Sequence, residues 1–228
     1  MRPILKCLVL LPLLQLLGCG TSRREPTRIL MQTTRGDITL ELSDLTPRHR
    51  DNFVRLTRQG HFDGVLFHRV IADFMIQGGD PDSRDAAPGA LLGNGDLGYT
   101  VAAEFRYPEL LHRRGALAAA RTSDKVNPRR ASSSSQFYIV WGRTFTDPEL
   151  DAVQQRLDRA TGGRIVLSPS VHEIYRTEGG TPHLDGQYTV FGRVVEGLDT
   201  VEVILNEQTD DNDRPLNDVR IVKASVLE

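Results

Sequence analysis

Short β-type segments separated by turn residues recur along most of this chain of 228 residues, and this pattern constrains the fold more than any other feature. Residues 28–43 alternate apolar and polar side chains on both sides of Arg35-Gly36-Asp37, which is typical of a hairpin. Seven or eight short strands without repeated βα alternation favour a closed antiparallel barrel over a sandwich. The remaining candidate strands are 65–71, 74–77, 99–105, 115–120, 136–141, 188–195 and 219–226.

Two helices accompany the predicted strands. Thr46-Pro47 offers an N-cap and a proline in the first turn, and Phe53 and Leu56 lie on one face, so a helix is predicted at about 47–58. A second helix is predicted at about 198–206, before the last strand. Because strands outnumber helices, the fold class is dominated by β structure.

A helical insert of about 144–180 interrupts the strands. Residues 146–160 carry a cap, an early proline and Leu150, Val153 and Leu157 at helical spacing. Ser168-Pro169 indicates a further short helix that ends at about 177. Loops tolerate insertions at modest entropic cost, so we expect the insert on the surface. A passive extension is the favoured reading, and a role in binding a partner stays open.

The first 18 residues are typical of a secretion signal. A basic start precedes the apolar stretch Cys7–Leu17, which is shorter than the roughly 20 residues that span a bilayer. Leu16-Leu17-Gly18-Cys19 resembles the bacterial lipobox, so cleavage before Cys19 and lipid attachment to Cys19 are expected. Residues 19–27 then form a lipidated tether, and residues 28–228 form one domain. This predicts a lipoprotein anchored to a membrane of the bacterial cell envelope.

Charge and motif spacing exclude several classes of function. With 28 basic and 30 acidic side chains the chain shows no basic excess, so nucleic acid is not an expected partner. Gly93 to Gly98 match G-x-G-x-x-G, but no helix pattern follows to receive a pyrophosphate. The six histidines lack the spacing of a zinc site, and 210–213 lacks the glycine and glutamate of a calcium loop. The serines at 132–135 lack a nucleophile elbow and are interpreted as loop.

Arg69 is an unusual residue within an apolar run. Strand alternation would place Phe67, Arg69 and Ile71 on one face, so the guanidinium would share its face with apolar side chains. A guanidinium cannot lose its proton, so a partly buried one needs acceptors. An edge-strand arginine that reaches water is the alternative to a functional role.

The run that contains Arg69, FHRVIADFMIQGGDP, closely resembles the signature of the cyclophilins, which are peptidyl-prolyl isomerases. FDGVLFHR precedes it, and GALAAAR (115–121), SQFYI (135–139) and HLDGQYTVFGRVVEG (183–197) follow in the family's order. The resemblance covers about 28–228 apart from the insert. It implies a closed eight-stranded antiparallel barrel capped by two helices, which agrees with the strand pattern.

The resemblance also implies a site, residue by residue. The family's catalytic arginine corresponds to Arg69, and the glutamine that bonds the substrate backbone corresponds to Gln77. The implied substrate-binding residues are Phe74, Met75, Ala120, Arg121 through its main chain, Gln136, Tyr138 as the pocket floor, and Leu184. No metal and no cofactor are implied, and the expected partners are proline-containing polypeptides. We expect a monomer.

Three positions depart from the family pattern. His183 stands where many eukaryotic members have tryptophan, Tyr188 replaces a histidine at the pocket edge, and Tyr138 replaces phenylalanine. We expect altered peptide preference and weaker cyclosporin binding, because an indole N–H and its packing area are lost. The Tyr138 hydroxyl must find a partner if it is buried.

The chemistry of X-Pro rotation sets what such a site must supply. Twisting the bond costs roughly 18–20 kcal/mol, and the prolyl nitrogen regains a lone pair in the twisted state. A fixed N–H donor such as that of Arg69 would bind the twisted state better than either planar isomer. The resemblance implies isomerisation of X-Pro bonds, which would assist the folding of exported proteins. A non-catalytic chaperone or scaffold that binds proline peptides is the alternative, and a barrel that stores a small ligand is a weaker one.

The N-terminal analysis makes a direct prediction. Mature protein extracted from bacterial membranes will begin at Cys19 and carry acyl groups on that cysteine, because Leu-Leu-Gly precedes it. Intact-mass analysis measures both features, and Cys19→Ser serves as the control that loses them. An unmodified Cys19 in the membrane fraction would contradict the anchor.

Overall fold

The computed structural model describes residues 25–227, so the predicted signal segment, Cys19 and most of the tether lie outside the described residues. The described strands are β1 (Arg28–Thr33), β2 (Gly36–Leu42), β3 (Arg69–Ile71), β4 (Met75–Gly78), β5 (Thr100–Val101), β6 (Ala116–Ala119), β7 (Ser132–Ser133), β8 (Phe137–Val140), β9 (Val190–Glu196) and β10 (Ile221–Leu227). The helices are α1 (Pro47–Arg58), α2 (Asp147–Thr161), α3 (Pro169–Thr177) and α4 (Leu198–Leu205).

Eight strands form one antiparallel sheet in the order β10-β1-β2-β9-β6-β8-β4-β3. The sheet curls strongly, but its edge strands β3 and β10 do not form a ladder, so the expectation of a closed barrel is corrected to a curled, open sheet. The segment before β3 instead makes a single antiparallel bridge, between Leu66 and Arg220, just before β10. The Phe67 N–H donates to the Val219 carbonyl at 2.8 Å, and the Ile221 N–H donates to the Val65 carbonyl at 2.9 Å.

The irregular segment before β3 explains the missing ladder. The predicted strand 65–71 is regular only at Arg69–Ile71. Phe67 and Val70 are three residues apart, yet both enter the main core, which a regular two-residue alternation does not permit. The prediction that Phe67 and Arg69 share a face is therefore wrong, because Phe67 turns into the core and Arg69 stays half exposed.

Two further strand predictions are corrected. The expected strand at 99–105 is reduced to β5, which pairs with β7 in a separate two-stranded sheet outside the large one. β7 lies in the serine run that was interpreted as loop. Strands of two residues are too short to produce a periodic pattern, so no alternation in the sequence marks them.

All four predicted helices are present close to their expected bounds. The cap of α1 differs from expectation, because Thr46 makes no side-chain cap hydrogen bond. The carboxylate of Glu104 takes that role and accepts from the backbone N–H groups of Arg48 at 3.2 Å and His49 at 3.0 Å. A carboxylate at this end of a helix also complements the helix dipole.

Helices α1 and α4 cover the inner face of the curled sheet. Phe53 and Leu56 of α1 and Val201, Ile204 and Leu205 of α4 belong to the main core with apolar side chains of β1, β2, β8 and β9. Phe53 packs against Phe62, with 4.6 Å between the ring centroids, and edge-on against Phe137 at 5.4 Å. The two helices expected to cap the sheet therefore do so.

The insert between β8 and β9 has a small core of its own. Leu150, Val153 and Leu157 of α2 pack with Tyr175 of α3, and all four side chains are buried. Leu111, which lies between β5 and β6, joins the same cluster, so the insert is packed onto the domain. At the end of α2, Gly162 adopts a left-handed conformation with φ of 64°, which glycine permits without a steric cost.

None of the helices described between residues 25 and 227 combines the length and the apolar character needed to cross a bilayer.

Candidate functional site

The register of four neighbouring strands brings the predicted site residues together. Arg69 of β3 lies opposite Gln77 of β4, and Gln77 lies opposite Tyr138 of β8. Tyr138 in turn lies opposite Ala118 of β6. Directly opposed side chains in an antiparallel sheet are near neighbours on the same face, so Arg69, Gln77 and Tyr138 form one row.

The strands under this row are buried on both faces. On β8, Phe137 and Ile139 enter the main core, whereas Tyr138 and Val140 belong to a second cluster on the opposite face. Met75 of β4 belongs to that second cluster, while Ile76 enters the core. The second cluster therefore forms an apolar floor on the face of the sheet that carries Arg69, Gln77 and Tyr138.

A pocket of about 330 Å³ opens over that floor. This volume is at the lower end of the range for ligand sites, which suits a ring the size of proline. Met75 and Tyr138 are buried at its base, and Leu184 and Tyr188 border it. Nine of the predicted site residues line it: Arg69, Phe74, Met75, Gln77, Ala120, Arg121, Tyr138, Leu184 and Tyr188.

Arg69 lies at one wall of the pocket and is paired with Asp213. Its Nε lies 3.2 Å from the Asp213 carboxylate, and both side chains are about two-fifths exposed. The Asp213 backbone has a φ of 62°, and its carbonyl accepts from the Val70 N–H at 2.8 Å. The carboxylate holds Nε, and within residues 25–227 the two terminal NH₂ groups make no hydrogen bond, so they can donate to a bound peptide.

Gln77 is held by an amide chain that ends in the glycine loop. Its Nε2 donates to Gln136 Oε1 at 3.0 Å. Gln136 then donates to the carbonyls of Gly93 at 3.0 Å and Gly95 at 2.7 Å. The loop that resembles a dinucleotide motif therefore anchors Gln136, which lies beside the pocket and not on its wall.

The Tyr138 hydroxyl has the partner that its burial requires. It lies 3.1 Å from His112 Nε2, and His112 Nδ1 lies 2.9 Å from the Asp185 carboxylate. Because a carboxylate offers only acceptors, Nδ1 carries a proton and Nε2 faces the hydroxyl. Burial raises the pKa of Tyr138 well above its usual value, so the hydroxyl stays protonated.

Asp185 also connects this network to the insert. Its second carboxylate oxygen accepts from the hydroxyl of Tyr175, a residue of α3, at 2.6 Å. Its first also accepts from the backbone N–H of His112 at 2.9 Å. The buried carboxylate therefore joins the pocket floor and the insert in one hydrogen-bond network.

The two other residues that depart from the family pattern, Tyr188 and His183, differ in whether they line the pocket. Tyr188 lies edge-on to Tyr138 with 6.1 Å between the ring centroids, and the Arg121 guanidinium stacks over it at 4.3 Å. The main-chain N–H and carbonyl of Arg121 make no hydrogen bond within the described part of the chain. His183 does not line the pocket and instead stacks behind Phe74, with 6.1 Å between the two rings.

Several lining residues were missed by the sequence analysis. His68 lines the pocket, and burial lowers its pKa to about 4. Neither of its ring nitrogens has a hydrogen-bond partner among residues 25–227. Its position next to Arg69 in the quoted signature was a signal that could have found it. The loop residues Leu91 and Leu92 also line the pocket, and buried Arg214 holds their loop by donating to the carbonyls of Ala87 and Ala90.

His49, Glu104 and Ser132 mimic the atoms of a hydrolase triad. His49 Nδ1 lies 2.7 Å from Glu104 and His49 Nε2 lies 2.9 Å from the Ser132 hydroxyl. All three are buried, and Ser132 is 1% exposed, so no substrate carbonyl could reach its oxygen. The group instead joins α1 to the small sheet.

Within residues 25–227, no cluster of three or more His, Cys, Asp or Glu could hold a metal ion.

Comparison with known proteins identifies the family. The family model described as cyclophilin type peptidyl-prolyl cis-trans isomerase/CLD matches residues 28–226. Proteins provisionally named peptidyl-prolyl cis-trans isomerase in Staphylococcus saprophyticus and Staphylococcus epidermidis are 35% and 36% identical, and each match covers 88% of this chain and 92% of the relative. The chain therefore belongs to the cyclophilin-type peptidyl-prolyl cis-trans isomerase family, as its motifs predicted.

Solved structures confirm the fold. A cyclophilin type peptidyl-prolyl cis-trans isomerase from Cryptosporidium parvum superposes with a TM-score of 0.64 at 24% identity, covering 89% of this chain and 98% of that one. A second structure of the same protein, determined in the presence of the dipeptide Ala-Pro, gives a TM-score of 0.61.

The buried network leads to a stability prediction. Asp185→Asn will lower the free energy of unfolding by about 1–3 kcal/mol, because an amide nitrogen replaces an acceptor of buried donors. Urea denaturation measures the change. Asp151→Asn, on the exposed face of α2, is the matched control and should stay within about 0.5 kcal/mol of the parent protein. Equal stability of Asp185→Asn and the control would show that the network contributes nothing.

Proposed function

We propose that this protein accelerates cis-trans isomerisation of X-Pro bonds in polypeptides, with Arg69 as the catalytic residue. The observation that carries the proposal is the strand register, which brings Arg69 to the wall of a pocket whose floor is Met75 and Tyr138. Family membership supports the reaction class. The pocket geometry supports the assignment of individual roles.

The reaction needs a donor at the prolyl nitrogen. In a planar peptide the nitrogen lone pair is delocalised, so the nitrogen accepts hydrogen bonds poorly. In the twisted state the lone pair is localised, and a guanidinium N–H aimed at it stabilises that state selectively. Asp213 holds the opposite side of the guanidinium and thereby limits its rotation. No proton is transferred, so no general base is required.

The pocket must hold the proline while the preceding carbonyl rotates. Met75, Phe74 and Leu184 offer apolar contact to the ring, and the Tyr138 hydroxyl is turned away towards His112. Gln77 and the free main-chain groups of Arg121 are suited to hold the flanking backbone. One side of the peptide is then fixed and the other is free to turn, which lowers the entropic cost of reaching the twisted state.

We further propose that the substrates are exported proteins. The lipobox-like sequence before Cys19 supports export and anchoring to a membrane of the cell envelope. Slow prolyl isomerisation limits folding in that compartment as elsewhere, since spontaneous exchange takes tens to hundreds of seconds. The short tether keeps such a domain close to the membrane surface.

Replacement of Arg69 distinguishes an isomerase from a non-catalytic protein that only binds proline peptides. Arg69→Ala should lower kcat/KM for an Ala-Pro peptide by about 100-fold, the usual cost of a lost transition-state donor. Arg69→Lys keeps the charge but loses the planar fork, and should lose at least about tenfold. A protease-coupled or NMR exchange assay on residues 20–228 measures both variants.

Arg159→Ala, an exposed arginine of α2, is the control and should match the parent protein. A folded Arg69→Ala variant with unchanged kcat/KM would refute the catalytic role. Peptide binding without turnover by the parent protein would instead establish the proline-binding chaperone or scaffold.

Loss of the ion pair between Arg69 and Asp213 should lower activity less than loss of Arg69 itself. Asp213→Asn should lower kcat about fivefold with little change in KM, because a partly exposed ion pair contributes up to about 1 kcal/mol. Steady-state kinetics separates the two constants. The neighbouring exposed carboxylate in Asp211→Asn provides the control. If both variants lose the same activity, the loss comes from removing a negative charge near the pocket and not from a change in the orientation of Arg69.

A further inference from the structure

A second groove lies behind the proline pocket, between the pocket and the insert. Its volume is about 330 Å³, as large as that of the proline pocket. One wall consists of Phe74 and His183. The insert supplies the other wall, through Phe145 and the α2 residues Ala152 and Val153.

The groove has an apolar interior and a charged rim. Phe74, Phe145, Ala152 and Val153 present aromatic and aliphatic surface. At the rim, Arg143 stacks over Phe145 at 4.3 Å and pairs with Glu149 at 2.8 Å. Asp73 and Arg156 also line the groove, so its two positive and two negative side chains balance and the lining carries no net charge. A site of this kind suits a bulky apolar side chain whose backbone stays at the surface.

The groove adjoins the proline pocket at Phe74. Phe74 lines both, and the His183 ring stacks against Phe74 on the groove side. Burial lowers the pKa of His183 to about 4, so the ring is neutral near pH 7 and adds no charge to the wall.

The shared residue Phe74 indicates which kind of ligand would occupy the groove. A polypeptide whose proline occupies the first pocket must pass Phe74 on one side of that proline. Because Phe74 lines both spaces, little more than one aromatic ring separates them, a distance that about two residues of extended chain can span. A residue of the same polypeptide close to the proline is therefore within reach of the groove.

We propose that the groove binds a bulky apolar side chain near the proline of the same polypeptide substrate, so that the insert sets a substrate preference. This inference rests on the proposed function of the proline pocket. It assigns the insert a role in selecting substrates.

A peptide series measures the preference. Alanine and phenylalanine are compared at each of the three positions on either side of Ala-Pro, and both kcat/KM and Kd are determined. At one position phenylalanine should be preferred by at least about tenfold, as expected for burial of a large apolar group. Peptides with alanine at every flanking position provide the reference.

Two substitutions on α2 distinguish filling of the groove from a nonspecific effect of placing a tryptophan on the helix. Ala152→Trp should fill the groove, abolish the preference for phenylalanine and leave kcat/KM for the all-alanine peptide within about twofold. Ala152 is exposed, so the fold should tolerate the larger side chain. Gln155→Trp places the same side chain on α2 outside the groove and should keep the full preference.

The outcomes distinguish this inference from the proposed function. If the parent protein turns over the reference peptide but shows no preference at any position, the groove proposal fails and the isomerase stands. A preference that survives in Ala152→Trp also refutes the groove. If no peptide is turned over, the isomerase fails, while the Kd ratio for phenylalanine and alanine peptides still supports or refutes the groove.

Discussion

Burial on both faces of the strands β4, β6 and β8 is the constraint on which the rest of the structure depends. One face of these strands packs against α1 and α4 through residues such as Ile76 and Phe137. The other face carries Met75 and Tyr138, which must also be covered or form a pocket. Because side chains alternate with a period of two, the register that fills the core also places the site residues in one row. Folding and site assembly are therefore set by the same strand pairing.

Local and motif-based features were well predicted from the sequence. The helices, most of the large sheet and the grouping of Arg69, Gln77 and Tyr138 follow from periodicity and from the ordered cyclophilin blocks. Long-range contacts could not be predicted in this way. The cap that Glu104 provides to α1, the pairing of Asp213 with Arg69 and the link from Asp185 to Tyr175 each join residues far apart in the chain. No local pattern encodes such pairs, and the open edge between β3 and β10 likewise depends on how one irregular segment packs.

The insert is integrated with the domain in two separate ways. Its own apolar cluster includes Leu111, and Tyr175 donates to Asp185 beneath the pocket. Its helix α2 also forms a wall of the second groove. A helical extension of this kind changes a general proline pocket without altering the residues that perform the rotation. Selectivity and chemistry can then vary independently.

The shared carboxylate of Asp185 has a consequence for how long the pocket stays formed. Opening of the insert would leave Asp185 without one of its donors, and loss of Asp185 would leave His112 Nδ1 and the Tyr175 hydroxyl without their acceptor. Elements joined through one buried acceptor tend to open as a single cooperative unit. The lifetime of the proline pocket is then limited by the less stable of its two supports. A protein with this network would lose the insert and the pocket together, and would regain both in one refolding event.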